Sequence, residues 1–265
     1  MTSLGDLTTP AKLADGRYGI EIPTGWRQGR GAYGGLVVAT LVRAIEDAVG
    51  DRSRAIRSVT AEIPAPVVAG AAEIAVDLLR AGKNVSTLRA SLVQDGETRA
   101  HAVAVAAESR RSGGETGWQE LAPPDAPSWR TLGVVPWSPV FPEFAQHMEF
   151  RVVDGIPTSG AAARTVGWVR CRLPGGLRDT AHIAAMIDAW WPAALVRLPA
   201  MRPMATIAYT LDVVHGLDGL DPDAPLLYRS TAPVLTGGYC LETRELWGED
   251  GRLVALNHQT FVVIA

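Results

Sequence analysis

Two Asp-Gly turns constrain this chain more than any other feature. Asp95-Gly96 lies between the strand-like runs Val85–Gln94 and Arg99–Ala107, and Asp250-Gly251 lies between Gly238–Trp247 and Leu253–Ile264. An Asp-Gly pair between apolar runs specifies a tight β-hairpin, because glycine adopts the positive φ that such a turn requires. The two turns stand 155 positions apart (250 − 95 = 155). Around each the same order recurs, with a strand, a long helical segment, further strands and then the hairpin. A supersecondary order written twice is the mark of a duplicated unit.

In the first copy a strand near Tyr18–Ile22 precedes a helix from Gly34 to Val49. There Val37, Leu41, Ile45 and Val49 recur at helical spacing, and Gly50 supplies the stop. Strands are predicted at Ser58–Val68, Ala72–Ala81, Val85–Gln94 and Arg99–Ala107. The second copy reads as strands Met148–Val153 and Thr165–Leu173, a helix from about Asp179 to Leu198, and strands Met204–Val214, Pro225–Ala232, Gly238–Trp247 and Leu253–Ile264. Between the copies, from Glu108 to Phe144, the periodicity fails. That stretch holds Gly113, Gly114, Pro123, Pro124, Pro127, Pro136, Pro139 and Pro142, the composition of a long connector. Its tryptophans, Trp118, Trp129 and Trp137, predict that it packs on a domain surface. The expected organisation is an N-terminal unit over 1–108, a Pro/Trp-containing connector over 109–143, and a C-terminal unit over 144–265.

A duplicated unit also accounts for the length, since 265 residues exceed the usual single domain of about 100–150. The formal net charge of −3 carries no clustered positive block, which argues against nucleic acid or an anionic membrane as partner. Only Lys12 and Lys83 among the 25 basic residues are lysine, leaving 25 − 2 = 23 arginines. They are scattered, so the bias reads as base composition in preference to a phosphate site. Cys171 and Cys240 stand too far apart in sequence to mark a disulfide framework or a zinc site. His101, His147, His182, His215 and His258 show no metal-binding spacing. No metal and no cofactor is therefore expected. The first residues lack the blocks of a signal peptide, and no run approaches the roughly 20 apolar residues of a membrane span. A cytoplasmic protein is the expectation. Ser86 and Ser91 sit in no G-x-S-x-G elbow, which removes the α/β-hydrolase type of nucleophile.

A long helix followed by antiparallel strands, twice, is an α+β pattern in which a curved sheet wraps each helix. The strings GAYGGLVVATLVRA, MIDAWWPAAL, MATIAYTLDVV and EDGRLVALNHQ, in that order, resemble the type II acyl-CoA thioesterases. The resemblance covers nearly the whole chain. It implies the double hotdog fold and hydrolysis of acyl-CoA, a small-molecule substrate, to free acid and CoA. Exposed sheet edges in such folds pair, so a homo-oligomer is expected.

If the halves arose by duplication, chemistry shows as polar residues that one copy has and the other lacks. Shifting the last strand by 155 sets Asn257, His258, Gln259 and Thr260 over Ala102, Val103, Ala104 and Val105. Polar groups inside a core strand need hydrogen-bond partners. Strand alternation puts Asn257 and Gln259 on one face, His258 and Thr260 on the other. Gln259 reads as a site residue or as an amide capping a neighbouring backbone. Asp188 lies in HIAAMIDAWWPAALV, which is apolar on nearly every side, so its carboxylate must be hydrogen-bonded, paired or protonated. Pro192 has no N–H for the carbonyl of Asp188, so a kink is predicted there. Asp188 reads as functional, or as a group that faces solvent or ties down the kink. The Trp190-Trp191 pair reads as core or as acyl-pocket wall.

The resemblance adds Thr206 as the third member of a set, Asp188, Thr206 and Gln259, that holds the attacking water, with Asp188 as general base. By order of elements Thr206 aligns with Thr60 of the first copy. At the start of the first helix, Gly34 and Gly35 bring unpaired N–H groups and the helix dipole to bear on negative charge, as a thioester oxyanion requires. They read equally as glycines serving close packing. Two other functions stay open: a hydratase of enoyl thioesters using an Asp/His pair with His258, and a non-catalytic acyl-CoA binder.

Overall fold

The computed structural model describes residues 2–110, 117–176, 178–221 and 223–264; Gly113 and Gly114 lie outside the described residues. The first copy runs α1 (Leu4–Leu7), β1 (Ala11–Ala14), β2 (Arg17–Ile22), a small ribbon of β3 (Arg27–Gln28) and β4 (Gly31–Ala32), and then α2 (Gly34–Val49). β5 (Arg54–Glu62), β6 (Gly70–Ala81), β7 (Val85–Gln94) and β8 (Glu97–Glu108) complete it. The second copy runs β9 (Met148–Asp154), β10 (Arg164–Cys171), α3 (Thr180–Asp188), α4 (Ala194–Arg197), β11 (Met204–Val213), β12 (Leu226–Thr236), β13 (Tyr239–Trp247) and β14 (Leu253–Val263).

Twelve of these strands form one sheet in the order β1-β2-β6-β7-β8-β5-β11-β14-β13-β12-β10-β9. The copies meet where β5 and β11 pair antiparallel, with Thr60 opposite Thr210. Outward from that seam each half repeats the other: β5-β8-β7-β6-β2-β1 on one side, β11-β14-β13-β12-β10-β9 on the other. This is the double hotdog arrangement. α2 forms over the residues predicted for it and ends where Gly50 takes a φ of 64°. It packs on β5 to β8 and against α3, and α3 packs on β10, β13 and β14. Leu36, Val37, Leu41, Val42 and Ile45 are all buried. Each such side chain contributes about 1.5–3 kcal/mol, which locks the helix and its N-terminal glycines in place.

Several expectations are corrected. β1 has no counterpart in the sequence reading. β5 starts at Arg54 and stops at Glu62, not over 58–68, because Pro64 and Pro66 cannot donate to a ladder. The long helix expected over 179–198 is two helices, α3 and α4, with a break over 189–193. The interruption is thus stronger than a kink. Ala189 closes a short bond to the carbonyl of Met186 (3.3 Å), and the N–H of Ala193 leaves the helix to meet Glu242 Oε2 (2.8 Å). A side chain from a distant strand stabilises the break that Pro192 begins.

The connector lies over the outer face of the second half. There Val166, Trp168, Leu227, Trp247 and Leu253 form their own cluster, packed against Ala126, Trp129 and Leu132. Trp168 Nε1 donates to the carbonyl of Pro127 (3.0 Å). Of the three connector tryptophans only Trp129 does the packing expected of all; Trp118 is 81% exposed and Trp137 41%. Among the described residues no helix is long and apolar enough to cross a membrane.

Candidate active site

The ladder between β11 and β14 slips between Thr206 and Ala208. Such a bulge re-aims side chains: Ile207 faces outward while Thr206 reaches in to Gln259. β5 slips at the equivalent place, between Ile56 and Ser58. Ile56 opposes Ala106 there as Thr206 opposes Phe261 in the second copy. Thr206 therefore corresponds to Ile56, and not to Thr60, whose counterpart is Thr210 across the seam. On the next strand Asn257 and Gln259 correspond to Ala102 and Ala104, as the sequence comparison expected. One strand further, Arg244 opposes Asn257 and Glu242 opposes Gln259, where the first copy has Ala90 opposite Ala102 and Leu88 opposite Ala104. Five inward positions are thus polar in one copy and Ile, Ala or Leu in the other.

These five converge on the last residue of α3. Thr206 Oγ1 donates to Gln259 Oε1 (2.9 Å), and Gln259 Nε2 donates to Asp188 Oδ1 (2.7 Å) and to Asn257 Oδ1 (3.0 Å). The amide orientation follows from its partners, because the nitrogen faces two oxygens and the oxygen faces a hydroxyl. Asn257 Nδ2 in turn donates to the carbonyl of Thr210 (2.5 Å). Asp188 Oδ1 also accepts from Arg244 Nη1 (3.0 Å), whose Nε donates to Glu242 Oε1 (2.9 Å). Asp188 is 6% exposed, Arg244 1%, and Glu242 and Gln259 are fully buried. Thr206 is only half-buried.

The other carboxylate oxygen of Asp188 lies at the N-terminus of α2. A Cβ on Gly34 would stand 3.1 Å from Oδ2, and the N–H of Gly35 lies against the carboxylate. Gly35 has a packing reason as well: a Cβ there would collide with the ring of Tyr33, which folds back so that its hydroxyl donates to the carbonyl of Ala185. Tyr33 stacks on Phe144 (4.1 Å between centroids). Burial pushes the Asp188 carboxyl above the ordinary aspartate range, opposed by Arg244, Gln259 and the Gly35 amide. Of the two tryptophans after the helix, Trp190 is core: it stacks on Tyr228 (5.4 Å) and meets Phe150 edge-on (5.3 Å). Among the described residues no group of three or more His, Cys, Asp or Glu is placed to hold a metal ion.

The structure brings all five sequence-predicted residues together, Asp188, Thr206, Gln259, Gly34 and Gly35. Arg244, Glu242 and Tyr33 were missed. For the first two the sequence offers no such contrast: the shift of 155 sets Glu242 and Arg244 over Thr87 and Arg89, polar over polar, and only the register of the ladders matches them to Leu88 and Ala90.

Two sequence families cover most of the chain. The acyl-CoA thioesterase N-terminal domain matches residues 22–107, and the acyl-CoA thioesterase C-terminal domain matches residues 118–263. The chain belongs to the acyl-CoA thioesterase family. It is a thioester hydrolase. No curated protein sequence matches it. Among solved structures, a conserved protein of unknown function with a hot dog fold from Alicyclobacillus acidocaldarius is 23% identical, over 100% of this chain and 99% of its own, with a TM-score of 0.85. The acyl-CoA thioesterase II TesB2 from Mycobacterium marinum is 18% identical over 99% and 98%, with a TM-score of 0.78. A tesB protein from Mycobacterium avium subs paratuberculosis is 17% identical over 100% of each chain, with a TM-score of 0.79. At these identities the likeness shows the fold.

The geometry of the thioesterase also corrects the hydratase alternative. His258 is exposed on the outer face of β14, and the Asp/His pair that reading needs does not form. Strand alternation separates it from Gln259 and hence from Asp188.

Proposed function

We propose that this thioesterase hydrolyses acyl-CoA, with Asp188, Thr206 and Gln259 acting on one water. Gln259 is committed through both N–H groups and its oxygen holds the Thr206 hydroxyl, so Thr206 Oγ1 accepts one hydrogen of the water and the other is left facing Asp188. Asp188 takes the water's proton as the oxygen attacks the thioester carbonyl carbon. The carbonyl oxygen gathers charge at the first turn of α2, where Gly34 N–H is the donor and Gly35 N–H serves Asp188. The C–S bond then breaks, the acyl group leaves as the acid, and CoA leaves as a thiolate that takes up a proton. A thiolate is a good leaving group, so no strong general acid is required.

The observation that carries this reading is the unbroken chain Thr206–Gln259–Asp188 ending on a helix N-terminus. It is supported by the apolar residues at the matching places of the other copy. The test is release of free thiol from short, medium, long and aryl acyl-CoAs, with Gln259→Ala and Asp188→Asn as controls. Turnover lost in both folded variants is the expected result. Saturable acyl-CoA binding with no thiol release from the unaltered protein would overturn it in favour of a non-catalytic binder.

A further inference from the structure

Arg244 and Glu242 lie outside the water-holding set, yet they form one buried cluster with it. Arg244 stands between two carboxylates: Nη1 donates to Asp188 Oδ1 (3.0 Å) and to the carbonyl of Ile187 (3.2 Å), and Nε donates to Glu242 Oε1 (2.9 Å). Glu242 receives donors at both oxygens, from Arg244 and from the N–H of Ala193, with the Tyr228 hydroxyl 3.5 Å away. Burial and the charge of Asp188 push the Glu242 carboxyl up, while Arg244 and the Ala193 N–H hold its charged form against them. Arginine stays protonated. One guanidinium and two carboxylates leave an excess negative charge in a nearly dry interior, which favours uptake of one proton.

We propose that Glu242 and Arg244 are positioning residues for the hydrolysis. Glu242 neutralises the guanidinium, so that Arg244 holds Asp188 by its hydrogen bond without quenching it as a base, and the proton from water goes to Asp188. This rests on the assignment of Asp188 as the base. The fork of Arg244 ties the carboxylate to the carbonyl of Ile187, which fixes Oδ1 toward Gln259 and leaves Oδ2 at the α2 terminus. The other titratable groups facing Asp188 are Tyr33 at the start of α2, Tyr209 on β11 and Tyr228 on β12. Burial raises all three phenols above their ordinary range, so they stay neutral. On β14 the facing groups, Asn257 and Gln259, do not titrate.

The test is the pH profile of kcat for thiol release in the unaltered enzyme, Glu242→Gln and Arg244→Lys, each with a thermal melt. Glu242→Gln keeps the shape and removes the charge, so Arg244 then bears on Asp188 alone. The acid limb should move to lower pH by about one unit or more. Arg244→Lys keeps the charge and loses the fork. Its kcat should fall at least about ten-fold with KM little changed and the acid limb unmoved. A purely structural role predicts a changed melt and no movement of the profile. An acid limb that stays, or moves upward, in Glu242→Gln overturns the proposal, as does near-normal kcat in Arg244→Lys. If Asp188→Asn stays active, the assignment of the base has failed instead, and the two failures are told apart.

Discussion

Replacing Asp188 by asparagine preserves the shape of the side chain and removes its charge. The asparagine oxygen takes the place of Oδ1 and still accepts from Gln259 and Arg244, which stand 2.7 and 3.0 Å away in the unaltered enzyme. The new NH2 takes the place of Oδ2 and meets the Gly35 N–H, donor against donor, at a cost of about 1–3 kcal/mol. Against that, the cluster loses its excess negative charge and Arg244 is left matched one to one with Glu242. Breaking a buried ion pair outright costs about 3–5 kcal/mol, but here the guanidinium keeps a carboxylate. The two contributions oppose, so stability should change by no more than about 1–2 kcal/mol, a Tm shift below about 8 °C. Loss of a general base costs about 10²–10⁴-fold in kcat. A thiol-release assay on the variant, beside its melting curve, reads both quantities. A folded Asp188→Asn enzyme that keeps more than about a tenth of kcat refutes the assignment, since even the weakest general base contributes more than that.

Three further outcomes are expected. Burial, with the charge of Asp179 next, pushes Glu46 up to about 7. A carboxyl whose folded pKa lies above its unfolded one adds stability that is complete below the unfolded pKa and is lost as pH rises through the folded one. Melts from pH 4.5 to pH 8 should therefore fall on the alkaline side by something on the order of 1–3 kcal/mol, and Glu46→Gln should flatten that fall; an unchanged slope in the variant contradicts the reading. Gly35→Ala drives a methyl into the Tyr33 ring, so denaturant unfolding should show a loss of about 1–3 kcal/mol. Equal stability would mean that Tyr33 can move freely. His258→Ala should leave kcat within about two-fold, as for a surface change away from the chemistry, and a large loss would revive the hydratase pairing.

The residues visible in the sequence were those that violate their own local pattern. Asp188 is a carboxylate in an apolar helix, and Gln259 and Asn257 are amides in an apolar strand. Both kinds of anomaly can be recognised without knowing what lies opposite. Glu242 and Arg244 escaped because they lie in an unbroken polar run, Glu242 to Glu245, where no alternation marks which side chains face in. Only the ladder to β14 reveals that they point inward. The misplaced counterpart of Thr206 has a similar cause, since a bulge changes which residue faces in and leaves no mark on the period of the strand.

The sequence by itself determined the duplication, the two hairpins, the first helix to its last residue, and the asymmetry that separates a polar copy from an apolar one. These are properties of neighbouring residues, set by turn chemistry and by periodicity. Only the tertiary structure decided that α3 stops at Asp188, that Glu242 crosses from β13 to stabilise the break, and that Arg244 stands between two carboxylates. Those features depend on the register of strands far apart in sequence and on burial that removes water from the charges. No local pattern carries that information.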